Sequence, residues 1–168
     1  ENLINEDHHP NIKTLPGLHF EAFHPDSTYL TSEGQHIFGP CDAYHSSIAV
    51  ASYKLGLSTQ ETITLFNDST YNHLGFYDLW DRESTEFSRI YREHGLNVEH
   101  LIPDWLRKGI FMHSVNHPAI WALNDISKII AKSFGDVNPV ESSILPHDNL
   151  CYGPIFPTYR EIAEFYGH

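Results

Sequence analysis

Three short polar phrases hold the residue types that could move a proton and steady a negative charge: His24-Pro25-Asp26, Tyr44-His45-Ser46 and Asn116-His117-Pro118. Histidine titrates near neutral pH, so a positioned imidazole can take a proton from a hydroxyl. In the first phrase Asp26 could orient His24 as a general base; the plainer reading is an Asx-type turn in which Asp26 bonds nearby backbone. In the second, the pattern puts Tyr44, His45 and Ser46 in the first turn of a helix, where amides and hydroxyls attract anions. A partly buried histidine with ordinary helix-start serines is the alternative. In the third, Asn116 adds a donor and His117 a titratable group at a strand-to-helix junction, a place suited to phosphate or a developing oxyanion. Here the competing reading is that either residue simply caps the helix.

Other chemistry is less well supported by spacing. The chain has 13 histidines but no HExxH or HxH pattern, and a metal site built from His24, Asp26, His45 and His117 would have to be assembled by the fold alone. No metal is expected. Cys41, just before the expected helix, could act as a nucleophile, although a small buried cysteine is the commoner use. There is no GxSxG elbow, no P-loop and no GxGxxG, which argues against a serine hydrolase, a P-loop kinase and a dinucleotide oxidoreductase.

The elements that must position these phrases follow from periodicity. Residues 18–23 alternate apolar and polar over a strand's length, and the proline after His24 ends that strand. Residues 27–40 read as loop. A helix is expected from Asp42, as N-cap, to Leu55, with Ile48, Ala49, Ala51 and Leu55 on its apolar stripe and Gly56 at its exit. Ser58-Thr59-Gln60-Glu61 is a capping box opening a second helix that buries Ile63, Leu65 and Phe66, broken at 67–69. Helices follow over 76–94, after Pro103 to Gly109, and from Pro118 to Phe134, with a strand over 110–115 between the last two. Residues 1–17 form an irregular lead-in, 136–157 a long loop, and 158–166 a closing helix. The class is α/β, predominantly helical. Two strands make no independent sheet, so they are expected to complete one with an upstream segment. The chain is then either a single domain or the C-terminal portion of a larger one, and its start at Glu1 agrees with a missing N-terminal segment or partner chain.

Composition narrows the partners. The formal charge of −12 over 168 residues repels nucleic acid and anionic lipid. No apolar stretch approaches the roughly eighteen residues of a membrane span, and no secretory signal is visible. Two widely spaced cysteines fit a reducing, cytoplasmic setting.

Four phrases in order, FEAFHPDSTYL (20–30), AYHSSIAVASYKLGLSTQETITLFN (43–67), YNHLGFYDLW (71–80) and FMHSVNHPAIWALNDISKII (111–130), resemble the WcbI-like polysaccharide biosynthesis proteins of bacterial capsule pathways. The resemblance covers residues 18–134. It implies coenzyme A as cofactor, a sugar hydroxyl as acceptor and O-acetyl transfer as the reaction. It also implies an upstream Gly-Asn-Cys-Gln motif that is not in this chain, so that motif's cysteine corresponds to neither Cys41 nor Cys151. Under this reading His45 or His117 is the general base. Asn116 and helix-start amides stabilise the oxyanion, Asn116 and His117 face the cofactor, and His24, Asp26, Tyr44 and Ser46 orient base or sugar. Two other classes stay open. One is a non-catalytic carbohydrate- or partner-binding module that uses Trp80, Trp105, Trp121 and Tyr152 as stacking platforms. The other is a deacylating hydrolase.

Overall fold

The computed structural model describes residues 14–135, 145–153 and 155–168. Helices dominate: α1 (Ser47–Lys54), α2 (Thr59–Ile63), α3 (Asp68–His73), α4 (Leu79–Glu93), α5 (Leu101–Lys108), α6 (Ile120–Ser133) and α7 (Arg160–Phe165). The strands are short: β1 (Ser27–Tyr29), β2 (Thr31–Ser32), β3 (Gln35–His36), β4 (Tyr44–Ser46), β5 (Met112–Ser114) and β6 (His117–Pro118). They pair antiparallel in three two-stranded sheets, β1 with β4, β2 with β3 and β5 with β6. The architecture is thus mostly helical α/β.

The main core gathers Leu18, Phe20, Ala22 and Phe23 from the N-terminal segment against α4, α5 and α6. Trp105, wholly buried, hydrogen-bonds through its indole N–H to Asp125 of α6 (3.1 Å), so its polar edge is satisfied inside an aromatic cluster. Trp80 packs edge-on against Phe20 (5.2 Å between ring centres) and joins Tyr166 of the tail (4.9 Å). Trp80 and Trp105 are therefore core, as their helical spacing among apolar neighbours suggests. A second cluster joins Ile48, Tyr71, Phe76 and Ile162, and a third joins Tyr44, Val115 and Phe156.

Several boundaries differ from the sequence expectation, each for a long-range reason. Residues 18–22 alternate in burial as expected, but the segment forms no strand. Phe20 N–H donates to the Val115 carbonyl (2.8 Å) and Glu21 N–H to the Glu83 carboxylate (3.2 Å), bonds that run to different elements and make no ladder. The segment read as loop, 27–40, holds β1, β2 and β3. Asp42 caps nothing: it sits at φ 59° in a tight turn closed by hydrogen bonds with Gly39. Tyr44, His45 and Ser46 form β4, not a helix turn, because β1 offers them a partner. Ser46 is the true N-cap of α1, accepting from the Ala49 N–H (3.0 Å). Of the apolar stripe expected on α1 only Ile48 is buried; Leu55 is 77% exposed. Ile63 is likewise exposed, and Leu65 and Phe66 are only half-buried.

Local signals fared better. The capping box of Ser58 and Glu61 forms on α2. Asn67 both ends that stretch and caps α3, accepting from Thr70. Gly56 and Gly95 leave their helices with φ of 73° and 75°, as C-terminal exits require.

Candidate functional site

Two short strands, β4 and β6, and the turns beside β1 and β6 carry the candidate residues. β4 lies between β1 and the start of α1, and consecutive strand residues point to opposite faces. Tyr44 therefore turns inward and His45 turns towards the β2–β3 hairpin.

On the inward face, Tyr44 donates to Asn116 Oδ1 (2.5 Å), and Ser114 Oγ lies 3.3 Å from both the Tyr44 hydroxyl and Asn116 Oδ1. The His117 ring stands edge-on to Tyr44 at 6.2 Å. Asn116 is exposed, and with its oxygen held by Tyr44 its amide nitrogen is the group left to donate. His117 Nδ1 is buried without a hydrogen-bond partner, and Gly153 packs beside that edge of the ring. Tyr29 completes the group, 5.2 Å from Tyr44. Burial and the Tyr44 contact push its phenol up to about 12, so it stays protonated at neutral pH.

On the outward face, His45 Nε2 donates to the Ile37 carbonyl (2.8 Å). A carbonyl only accepts, so this bond places the ring proton on Nε2 and leaves Nδ1 as a lone-pair acceptor. Gly39 lies against that edge: a Cβ there would stand 3.1 Å from Cε1 and 3.5 Å from Nδ1. His45 borders a cavity of about 470 Å³ between the hairpin and α1, together with Leu30, Ile37, Val50, Tyr53 and Lys54. The hydroxyl-bearing residues Thr31 and Ser46 share its wall.

His24 and Asp26 are fully buried and serve different partners. Asp26 makes no Asx-type turn. Its carboxylate receives Ser47 Oγ (2.5 Å) and Ile48 N–H (2.8 Å) at the start of α1 and the Tyr159 hydroxyl (2.6 Å) from the tail. With its oxygens so engaged, Asp26 does not orient His24. His24 Nε2 instead donates to the Met112 carbonyl (3.1 Å). Burial drives its pKa below the usual histidine value, against the opposing pull of the Met112 and Pro157 carbonyls.

Neither Asn116 nor His117 caps α6. The helix opens at Ile120 after Ala119, and its first free N–H is taken by Asp148 Oδ2 (2.9 Å), a residue of the tail. The same carboxylate oxygen holds His113 Nε2 at 2.9 Å. Burial would raise Asp148, but His113 and the Ile120 and Leu150 amides outweigh it and hold its carboxyl below the usual range. The two helix starts expected to attract external anions are thus already filled by Asp26 and Asp148.

The structure therefore brings Tyr44, Asn116 and His117 together, joins Asp26 to the helix start beside Ser46, and sets His45 and His24 apart from both groups. Sequence reading missed Tyr29, Ser114, His113, Asp148 and Tyr159. His113 and Ser114 carried a local signal, standing on the expected strand just before Asn116; Tyr29, Asp148 and Tyr159 arrive through contacts across 15 to 133 residues. Among the described residues no cluster of three or more His, Cys, Asp or Glu could hold a metal ion, and no helix is long and apolar enough to cross a membrane. Tyr152 is 72% exposed, whereas Trp121 is half-buried against the core.

Comparison with curated proteins and with solved structures returns no significant match. A family model does match, over residues 5–138 of the 168: that of the polysaccharide biosynthesis enzyme WcbI. The matched span carries both faces of β4, the Asn116–His117 turn and the hairpin groove, and the chain belongs to the WcbI family of polysaccharide biosynthesis enzymes.

Proposed function

We propose that this chain is a cytoplasmic O-acetyltransferase that moves an acetyl group from a coenzyme A thioester to a sugar hydroxyl. The observation that carries the reading is His45: a histidine with one nitrogen anchored on a backbone carbonyl and the other left as an acceptor, at the wall of a groove. A general base needs a fixed tautomer with a nitrogen left to accept, beside a space that a hydroxyl can enter.

In this reading the sugar hydroxyl gives its proton to His45 Nδ1 while its oxygen bonds to the acetyl carbon. The carbon–sulfur bond breaks, and the departing thiolate takes up the proton from His45. The Thr31 and Ser46 hydroxyls are the donors at hand for the carbonyl oxygen as it gathers charge. Tyr44 and Asp26 act indirectly, the first by fixing β4 on Asn116, the second by fixing the start of α1.

A second reading places the base at His117 with Asn116 as oxyanion donor. The buried, unpartnered Nδ1 of His117 and the exposed Asn116, its oxygen held by Tyr44, favour it. Alanine variants separate the two. With acetyl-CoA and sugar acceptors, His45→Ala should lower kcat by about 10²–10⁴-fold while His117→Ala stays within about threefold. The reverse order selects the second reading. Thioester cleavage that persists unchanged without any sugar marks a deacylating hydrolase, and sugar binding without cleavage marks a binding module.

A further inference from the structure

The groove beside His45 is mostly apolar, and 470 Å³ falls within the range of small-molecule sites. Its surroundings are poor in free positive charge. Every described arginine lies within ion-pair distance of a carboxylate: Arg82 faces Glu21 and Glu83, and Arg89 faces Glu86 and Glu93. Lys108 and Lys128 share Asp125. Such surface pairs are weak and exchange readily, but a phosphate approaching any of these cations also meets the neighbouring carboxylate. At α1, which borders the groove, and at α6 the backbone alternative is closed as well, because Asp26 and Asp148 occupy those helix starts. At the groove itself the one cation is Lys54, in the last turn of α1. The diphosphate and ribose phosphate of coenzyme A would find little to neutralise them among these residues, whereas an uncharged amide-and-thioester arm fits the groove's lining.

We infer that this chain recognises its acyl donor through the pantetheine arm, held in the groove between the β2–β3 hairpin and α1, and leaves the nucleotide half in solvent. The inference rests on the acyl-transfer reading for its activity test but not for its binding test. S-acetylpantetheine should replace acetyl-CoA with kcat/KM within about threefold, and the KM for acetyl-CoA should stay flat between low and high salt, since no charged contacts are screened. A drop of about a hundredfold or more on removing the nucleotide, or a KM that climbs steeply with salt, overturns it.

Ala49 is exposed on the groove wall, so Ala49→Trp can fill the groove without disturbing the core. That variant should raise the KM for both donors at least about tenfold, with an unchanged thermal midpoint; an unaffected KM sinks the proposal. Titration calorimetry with pantetheine separates the two claims. Binding that Ala49→Trp abolishes, with no cleavage of either thioester, upholds the groove and removes acyl transfer. Absence of pantetheine binding overturns the groove assignment whatever the activity.

Discussion

At the scale of single residues, the candidate site shows how a buried polar group declares its role by its partners. Asp26 is wholly buried yet accepts three hydrogen bonds from two distant elements, a pattern expected only of a charge that the fold needs. Burial and the Asp26 contact push the Tyr159 phenol far up, so it remains a donor at any ordinary pH. Removing that donor alone should matter: Tyr159→Phe, which keeps the ring stack on Tyr71, should lower stability by about 1.5–3 kcal/mol in urea titration. His24 makes a second test. Its folded pKa lies below the unfolded value of 6.5, so the unfolded state binds the proton first. Stability is then complete above about pH 6.5 and declines as pH falls below it. Thermal midpoints recorded from pH 8 to pH 5 should trace this decline, and His24→Gln, which can still donate to the Met112 carbonyl, should flatten it. A wild-type midpoint indifferent to pH over that range would contradict the assignment.

At the scale of elements, what was legible in the sequence was local. The Ser58–Glu61 box and the glycine exits are contained within a few residues and formed where their patterns placed them, while the break read at 67–69 turned out to be Asn67 capping a further helix, α3. The β4 strand was not legible, because Tyr44–Ser46 has helix-compatible neighbours on one side and its deciding partner, β1, across a turn of fourteen residues without a clear hairpin signal. The start of α6 was misread for a similar reason. Asn116 and His117 are the right residue types for a cap, yet the capping carboxylate comes from Asp148, beyond the long connection. The candidate site was half legible: residue types flagged Tyr44, Asn116 and His117, but only the fold separates them from His45. Asp148→Ala should release both Ile120 N–H and His113, with a loss of about 0.5–2 kcal/mol by the usual value of a helix cap. Chemical denaturation of this variant beside the wild type measures it.

At the scale of the whole molecule, the tail is part of the core rather than an appendage to it. The family match ends at residue 138, but Phe156, Tyr159, Ile162 and Tyr166 pack into all three apolar clusters. Tyr159 and Asp148 then supply hydrogen bonds to the starts of α1 and α6. A chain truncated after residue 144 should lose its cooperative thermal transition in calorimetry, since the Tyr159 bond to buried Asp26, the Asp148 cap of α6 and buried Ile162 all leave with the tail. A truncated chain that still melts sharply near the full-length midpoint would show that the matched span carries its own core.

The three tryptophans all sit in or against the main core, with Trp105 completely enclosed and Trp80 and Trp121 packed beside it, while the groove wall holds only tyrosine. The chain's ultraviolet emission is therefore an optical report on one half of the molecule. Unfolding will shift it strongly towards the red, but a molecule settling beside His45 and Tyr53 will leave it dark to the event. A ligand screen read by tryptophan fluorescence would pass over the groove in silence, and the search for this enzyme's substrates has to use heat, mass or turnover instead.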